Sequence, residues 1–269
     1  MDKLLTTGFR RLICYCLLTC GAGCGAAHAS ADQADTGPAV AAAADLKFVL
    51  PEIAQAFERA SGRKLRLSFG SSGVFARQIL QGAPFELFFS ADESYVELLQ
   101  RAHRTMDAGK LYALGRLVLF IPNGSPIQAD RNLGDLAAAA RDGRLKHLSI
   151  ANPEHAPYGR AAREALQRAG VWEALQGKLV LGENVAQAAQ FAASGSAQAG
   201  ILPLALARAP EFAERGAFTT LPENWHAPLR QRMVLMQGAG ETAQRFYAYM
   251  QTPAVRTILS NHGFALPEP

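Results

Sequence analysis

Apolar residues along the chain follow two alternating rhythms. Leu65, Leu67 and Phe69 recur at every second position, the period of a half-buried strand. Phe48, Val49, Ile53, Ala56 and Phe57 recur at the three-to-four spacing of one helix face. The rhythms take turns for most of the length. They predict strands over 40–43, 64–69, 85–90, 117–122, 147–151, 178–181, 199–202 and 232–237. Between them they predict helices over 46–60, 74–81, 93–102, 133–140, 160–169 and 185–193, then two closing helices over 242–250 and 253–261. Asp45 and Asn184 stand where helix N-caps belong, and Gly62 and Gly195 where helices stop. This alternation predicts an α/β fold of doubly wound parallel sheets.

Four strand-to-helix junctions draw attention, at 44–46, 70–73, 156–159 and 183–186. A helix start offers unpaired N–H donors and the positive end of a macrodipole, so it suits an anion. Two junctions precede the strongly apolar strand 117–122 and two follow it, which predicts two lobes with a ligand cleft between them. The closing helices are expected to return to the first lobe. The lobes are then 39–117 with 230–269, and 118–229. Gly70-Ser71-Ser72-Gly73 reads either as an ordinary turn or as an oxyanion seat, with Gly70 supplying a positive φ and close backbone approach. It is not a G-x-S-x-G elbow, because Gly follows Ser directly. Tyr158, after Pro157, reads equally as a cleft residue or as packing. His155 reads as part of a solvated turn.

Composition narrows the classes. The 269 residues are 49% hydrophobic and 19% charged, with a net charge of +4, as in ordinary globular proteins. No basic run is interleaved with aromatics, so no nucleic-acid partner is expected. Lys3, Arg10 and Arg11, the apolar stretch 12–18 and Ala27-His28-Ala29 read as a cleaved export signal ending at residue 29. Its removal with Asp2 leaves a net charge of about +2, too small for strong steering of a charged ligand. All four cysteines, Cys14, Cys16, Cys20 and Cys24, lie in that signal. The rest of the chain therefore has no disulfide framework. A lipid anchor on Cys20 or Cys24 is the lesser reading, since neither has a full lipobox before it. His103, His147, His155, His226 and His262 lack metal-ligand spacing. Ser61-Gly62-Arg63-Lys64 matches S-x-x-K, but its Ser ends a helix instead of starting one. With no phosphate loop or dinucleotide fingerprint either, the chain reads as a binder without cofactor rather than an enzyme.

Several stretches resemble the periplasmic molybdate-binding proteins of ABC importers. They are Ala42-Ala43-Ala44-Asp45-Leu46, Phe69-Gly70-Ser71-Ser72-Gly73 with Ala76-Arg77-Gln78-Ile79, and the run from Gly82-Ala83-Pro84 to Ser90-Ala91-Asp92. Pro153-Glu154-His155-Ala156-Pro157-Tyr158-Gly159, Glu183-Asn184-Val185 and Gly263-Phe264 continue the likeness, which spans about 39–266. The resemblance implies the two-lobed periplasmic-binding-protein fold (type II), a periplasmic location, a monomer and delivery to a membrane permease. It also implies capture of molybdate, with tungstate nearly the same size, through Asp45, Ser72, Tyr158 and Val185. Two departures stand out. Gly200-Ile201-Leu202 leads to Pro203, where many members carry Tyr, so Tyr158 is expected to compensate. Asp45 replaces a Ser or Asn. A carboxylate beside a dianion is repulsive, so Asp45 is expected to offer its backbone N–H while its side chain caps the helix and turns away. The competing readings are another small oxyanion or organic anion, and a secreted hydrolase using Ser71 or Ser72 with His155.

Overall fold

The computed structural model describes residues 37–268. The export signal read over 1–29 lies outside the described residues. Gly37 and Pro38, the first described residues, are buried. The Gly37 carbonyl accepts from Arg66 Nε at 2.8 Å, which ties this stretch to the first sheet.

The first half of the chain runs β1 (Ala39–Ala43), α1 (Val49–Ser61), β2 (Arg66–Gly70), α2 (Ser72–Leu80), β3 (Leu87–Ser90), α3 (Glu93–Arg101) and β4 (Lys110–Gly115). Next come β5 (Leu117–Pro122), α4 (Gly134–Asp142), β6 (Leu148–Ala151), α5 (Pro157–Arg168), β7 (Leu179–Gly182), α6 (Val185–Ala193) and β8 (Ala199–Pro203). The short helices α7 (Leu204–Ala207) and α8 (Pro210–Ala213) lead to β9 (Gly216–Thr220), β10 (Leu229–Leu235), α9 (Glu241–Tyr249) and α10 (Pro253–Asn261).

Two five-stranded sheets result, ordered β2-β1-β3-β10-β4 and β7-β6-β8-β5-β9. The chain leaves the first sheet after Gly115, enters the second at Leu117, and returns at Leu229. The α/β, two-lobed fold is as expected, but the sheets are mixed rather than parallel. β1 runs parallel to β2 and β3, and β6 parallel to β7 and β8. β10 and β5, the strands that enter from the other sheet, are antiparallel to their neighbours. No crossover helix brings them back to a common end, and parallel pairing needs one.

Both faces of each sheet's centre are covered. β3, β5, β6 and β8 are buried at every residue, as expected of strands flanked by helices on two sides. α9 and α10 close the first sheet's core: Phe246 meets Phe57 edge-on at 5.1 Å, and Leu259 joins Ile53 in the same cluster. Gly62 ends α1 with a φ of 71°, where an L side chain is strained, and its N–H returns to the Glu58 carbonyl.

The boundaries that differ matter for the site. The predicted helix start at 46 is instead a single 3-10 turn over Ala44–Leu46, and α1 begins only at Val49. α2 and α5 begin earlier than predicted, at Ser72 and Pro157. Pro157 is pre-set for a first helical turn by its fixed φ. β4 and β9 escaped prediction because each is a half-exposed sheet edge with weak alternation.

Candidate functional site

The carboxyl ends of β1, β2, β6 and β7 meet between the two sheets. Each feeds one of the four junctions, and the junctions line one small cleft. Asp45, Ser72, Tyr158 and Val185 all lie in that lining. This is where open α/β sheets bind ligands.

Three helices point their N-termini at the cleft, and each has little left to offer but a specific donor. In α6 the Asn184 side chain accepts the N–H groups of Ala186 and Gln187, at 3.0 and 3.1 Å. The N–H of Val185 then has no acceptor among the described residues. In α5, Pro157 has no N–H, and those of Gly159 and Arg160 return to the Ala156 carbonyl. That leaves the N–H of Tyr158. In α2 the Ser72 hydroxyl oxygen accepts the Ala91 N–H at 3.0 Å. Its own proton is therefore directed to another acceptor. The donors converge on one place without any formal positive charge among the lining residues.

The fourth junction differs. Ala44–Leu46 is only one 3-10 turn, too short to supply a full helix start, and the N–H groups of Asp45 and Leu46 in that turn lie close to the Asp45 carboxyl. Asp45 is 1% exposed and belongs to the cleft lining. Oδ2 accepts from Gln231 Nε2 at 2.6 Å, and Oδ1 has no partner. Gln231, fully buried on β10, also donates from Nε2 to the Tyr158 hydroxyl at 3.0 Å, while its Oε1 accepts from Tyr112 at 2.7 Å. Tyr112 thereby fixes which way the Gln231 amide faces. Burial pushes the Asp45 carboxyl up to about 6, against the opposing pull of Gln231, Tyr158 and the N–H groups of Asp45 and Leu46. Burial, and then the nearby Asp45 charge, raises the Tyr158 hydroxyl well above its ordinary value.

Tyr158 thus has two faces. Its main chain presents a donor at the α5 start, and its hydroxyl reaches the first sheet. The hydroxyl fits because residue 115 is Gly: a Cβ there would lie 2.3 Å from it. Pro203 stands in register with Leu117, at the passage between the sheets.

A clasp closes the cleft beside these groups. The His155 carbonyl, on the second lobe, accepts from Ser71 Oγ at 2.6 Å, from the Gly73 N–H at 3.1 Å and from Tyr95 at 3.3 Å, all on the first. Arg160 donates to Tyr95 at 2.8 Å and pairs with Asp92. His155 is buried, not solvated as its turn suggested. Its ring Nδ1 lies 3.1 Å from Ser71 Oγ. That is the pair a hydrolase would need, but the polarity is wrong. The Ser71 proton goes to a carbonyl, so the ring is the donor to Ser71 and not its base. Among the described residues no imidazole hydrogen-bonds Ser72, whose oxygen accepts the Ala91 N–H instead. Gly70 likewise needs no positive φ. It is small because a Cβ would meet the Phe75 ring at 2.9 Å.

Replacing Arg160 with Ala should weaken ligand binding about tenfold. The clasp favours the closed form that binds, and a lost charged hydrogen bond is worth roughly 1.5–3 kcal/mol, less in solvent. Titration calorimetry of the variant checks this, and unchanged affinity excludes the clasp.

Gln231, Tyr112, Ser71 and Arg160 were not foreseen in these roles. Each acts through a partner more than 40 positions away, so no local pattern marks it.

Two α/β lobes with helix N-termini facing a shared cleft define a solute-binding protein. Residues 38–265 match the family of bacterial extracellular solute-binding proteins, and the chain belongs to that family. It is 36% identical over 230 residues to the molybdate-binding protein ModA of Azotobacter vinelandii, covering 84% of this chain and 89% of that one. It is 35% identical over 230 residues to the ModA of Rhodobacter capsulatus, covering 84% and 87%. The solved structure of the Azotobacter vinelandii periplasmic molybdate-binding protein superposes with a TM-score of 0.79 at 31% identity, covering 86% of this chain and all of that one.

Proposed function

We propose that this protein captures molybdate, and with it tungstate, in the periplasm and delivers it to an ABC permease. The supporting observation is the convergence of the Ser72 hydroxyl with the free N–H groups of Tyr158 and Val185 on one cleft, at the starts of three helices. The relatives named as molybdate-binding proteins give the oxyanion its identity. In this reading 39–117 with 230–269 and 118–229 are the lobes that close on the ligand, and residues 1–29 direct export.

Neutral donors satisfy the anion, and the rigid spacing of the helix ends selects its size. Phosphate, which is smaller and carries a proton, would find an acceptor at Asp45, so its rejection rests on size alone. The same oxygen is what favours the second reading, a different protonated oxyanion. Calorimetry of the mature protein against molybdate, tungstate, sulfate and phosphate decides between them. Tight binding of the first two alone supports the proposal. Silence from both, or preference for phosphate, refutes it.

Ser72→Ala should weaken molybdate binding by about 1–3 kcal/mol, the cost of losing one hydrogen bond to a charged group. A smaller loss than about 0.5 kcal/mol on titration removes Ser72 from the site.

A further inference from the structure

We propose that Asp45 Oδ1 and one oxygen of the bound oxyanion share a single proton, so that this protein takes up a proton with its ligand. The inference rests on the oxyanion reading above. Three observations carry it. Asp45 lines the cleft and is 1% exposed, on a turn too short to supply a full helix start. One of its oxygens is held by the Gln231 amide, whose orientation Tyr112 fixes, so the carboxyl cannot swing away without losing that bond. The other oxygen, Oδ1, is buried and completes no hydrogen bond of its own, a costly state in a native interior, while the Tyr158 hydroxyl and the N–H groups of Asp45 and Leu46 lie near enough to favour the charged carboxylate.

A carboxylate and a dianion placed side by side away from water repel each other. One proton between them removes a unit of charge and converts that contact into a short, charge-assisted hydrogen bond. It does not matter on which oxygen the proton is drawn, because the complex holds the same number of protons either way. The proton comes from the buffer, and no bond other than this hydrogen bond is made.

No other group around Asp45 takes the proton's place. Gln231 on β10 does not titrate. Tyr158 on α5 and Tyr112 on β4 are buried and held well above their ordinary values, so both stay neutral through pH 9. Ser71, Ser72 and Asn184, the remaining polar side chains of the lining, carry no charge. The raised carboxyl of Asp45 agrees with this geometry.

The test is calorimetry of sodium molybdate binding in buffers of different ionisation enthalpy, which counts protons directly. At pH 8 the wild type should take up close to one proton per molybdate, and its affinity should fall about tenfold per unit from pH 7 to pH 9. Asp45→Asn and Asp45→Ser, which restore neutral side chains, should take up none and vary less than about twofold over that range. The wild-type count needs no variant to fold. The same titration is run with whichever of molybdate, tungstate, sulfate and phosphate gives heat. Silence from molybdate with binding of another anion overturns the ligand assignment but not this proposal. Binding of any of them with no proton taken up, or a flat wild-type profile, overturns this one.

Discussion

Asp45→Asn should stabilise the protein by about 3 kcal/mol at pH 8 and leave it nearly unchanged near pH 3.5. The wild-type carboxyl titrates near its ordinary value of 3.8 when unfolded and at about 6 when folded. Below the lower value both states hold the proton and the carboxyl is neutral, much like the amide that replaces it. As pH rises between the two values, the unfolded chain sheds its proton first, so the folded state loses ground. Above about 6 the folded state carries a buried charge, and the cost stays level. About two pH units at 1.36 kcal/mol each give the figure. Asn keeps an oxygen for Gln231 Nε2, so the network survives the change. Urea unfolding from pH 3.5 to 8 measures the gap, which corresponds to roughly 6–12 °C in melting temperature. A gap that does not widen with pH, or a wild type more stable at pH 8, refutes the buried charge. The stability lost to Asp45 is the mark expected of a group kept for binding rather than for folding.

Gly73→Ala should lower molybdate affinity at least about 100-fold while both lobes stay folded. Gly73 is the second residue of α2, and its N–H donates to the His155 carbonyl at 3.1 Å across the lobe boundary. A Cβ there would lie 2.5 Å from that carbonyl oxygen and 2.7 Å from the Tyr95 hydroxyl. The first is main chain, fixed by the start of α5, and cannot step aside. The lobes must separate instead, which breaks the bonds from Ser71, Gly73 and Tyr95 together. Three neutral hydrogen bonds at about 1 kcal/mol each are worth roughly two powers of ten. Inside its own lobe the change is mild, because Ala suits a helix better than Gly by up to about 1 kcal/mol. Small-angle scattering should show the wild type contracting on molybdate and the variant remaining open. Wild-type affinity in the variant would show that the clasp does not set closure.

Much of this was visible in the chain before any coordinates. The apolar strand 117–122, the helix 185–193 with its Asn184 cap, and the closing helix 253–261 keep their predicted bounds. Each has strong periodicity or a clear terminator, and local physics suffices there. The four junctions were legible for the same reason, because strand-to-helix turns announce themselves through Gly, Ser, Pro and Asn. What failed were features that depend on distant partners. The antiparallel entry of β5 and β10 follows from which sheet each joins. The one-turn start at Ala44–Leu46 could not be told from a capped helix, since Asp45 serves equally well in either.

Sequence alone determined that strands and helices alternate, that four turns can each seat an anion, and that their likeness lies with oxyanion-binding proteins. Those properties reside in neighbours along the chain, where spacing and backbone preference act. Only the tertiary structure decided what each turn contributes. It gave Ser71 to the clasp and left Ser72 a free proton, because the His155 carbonyl reaches one hydroxyl and not the other. It also tied the Asp45 carboxyl to β10, because Gln231 arrives from 186 residues away to hold it.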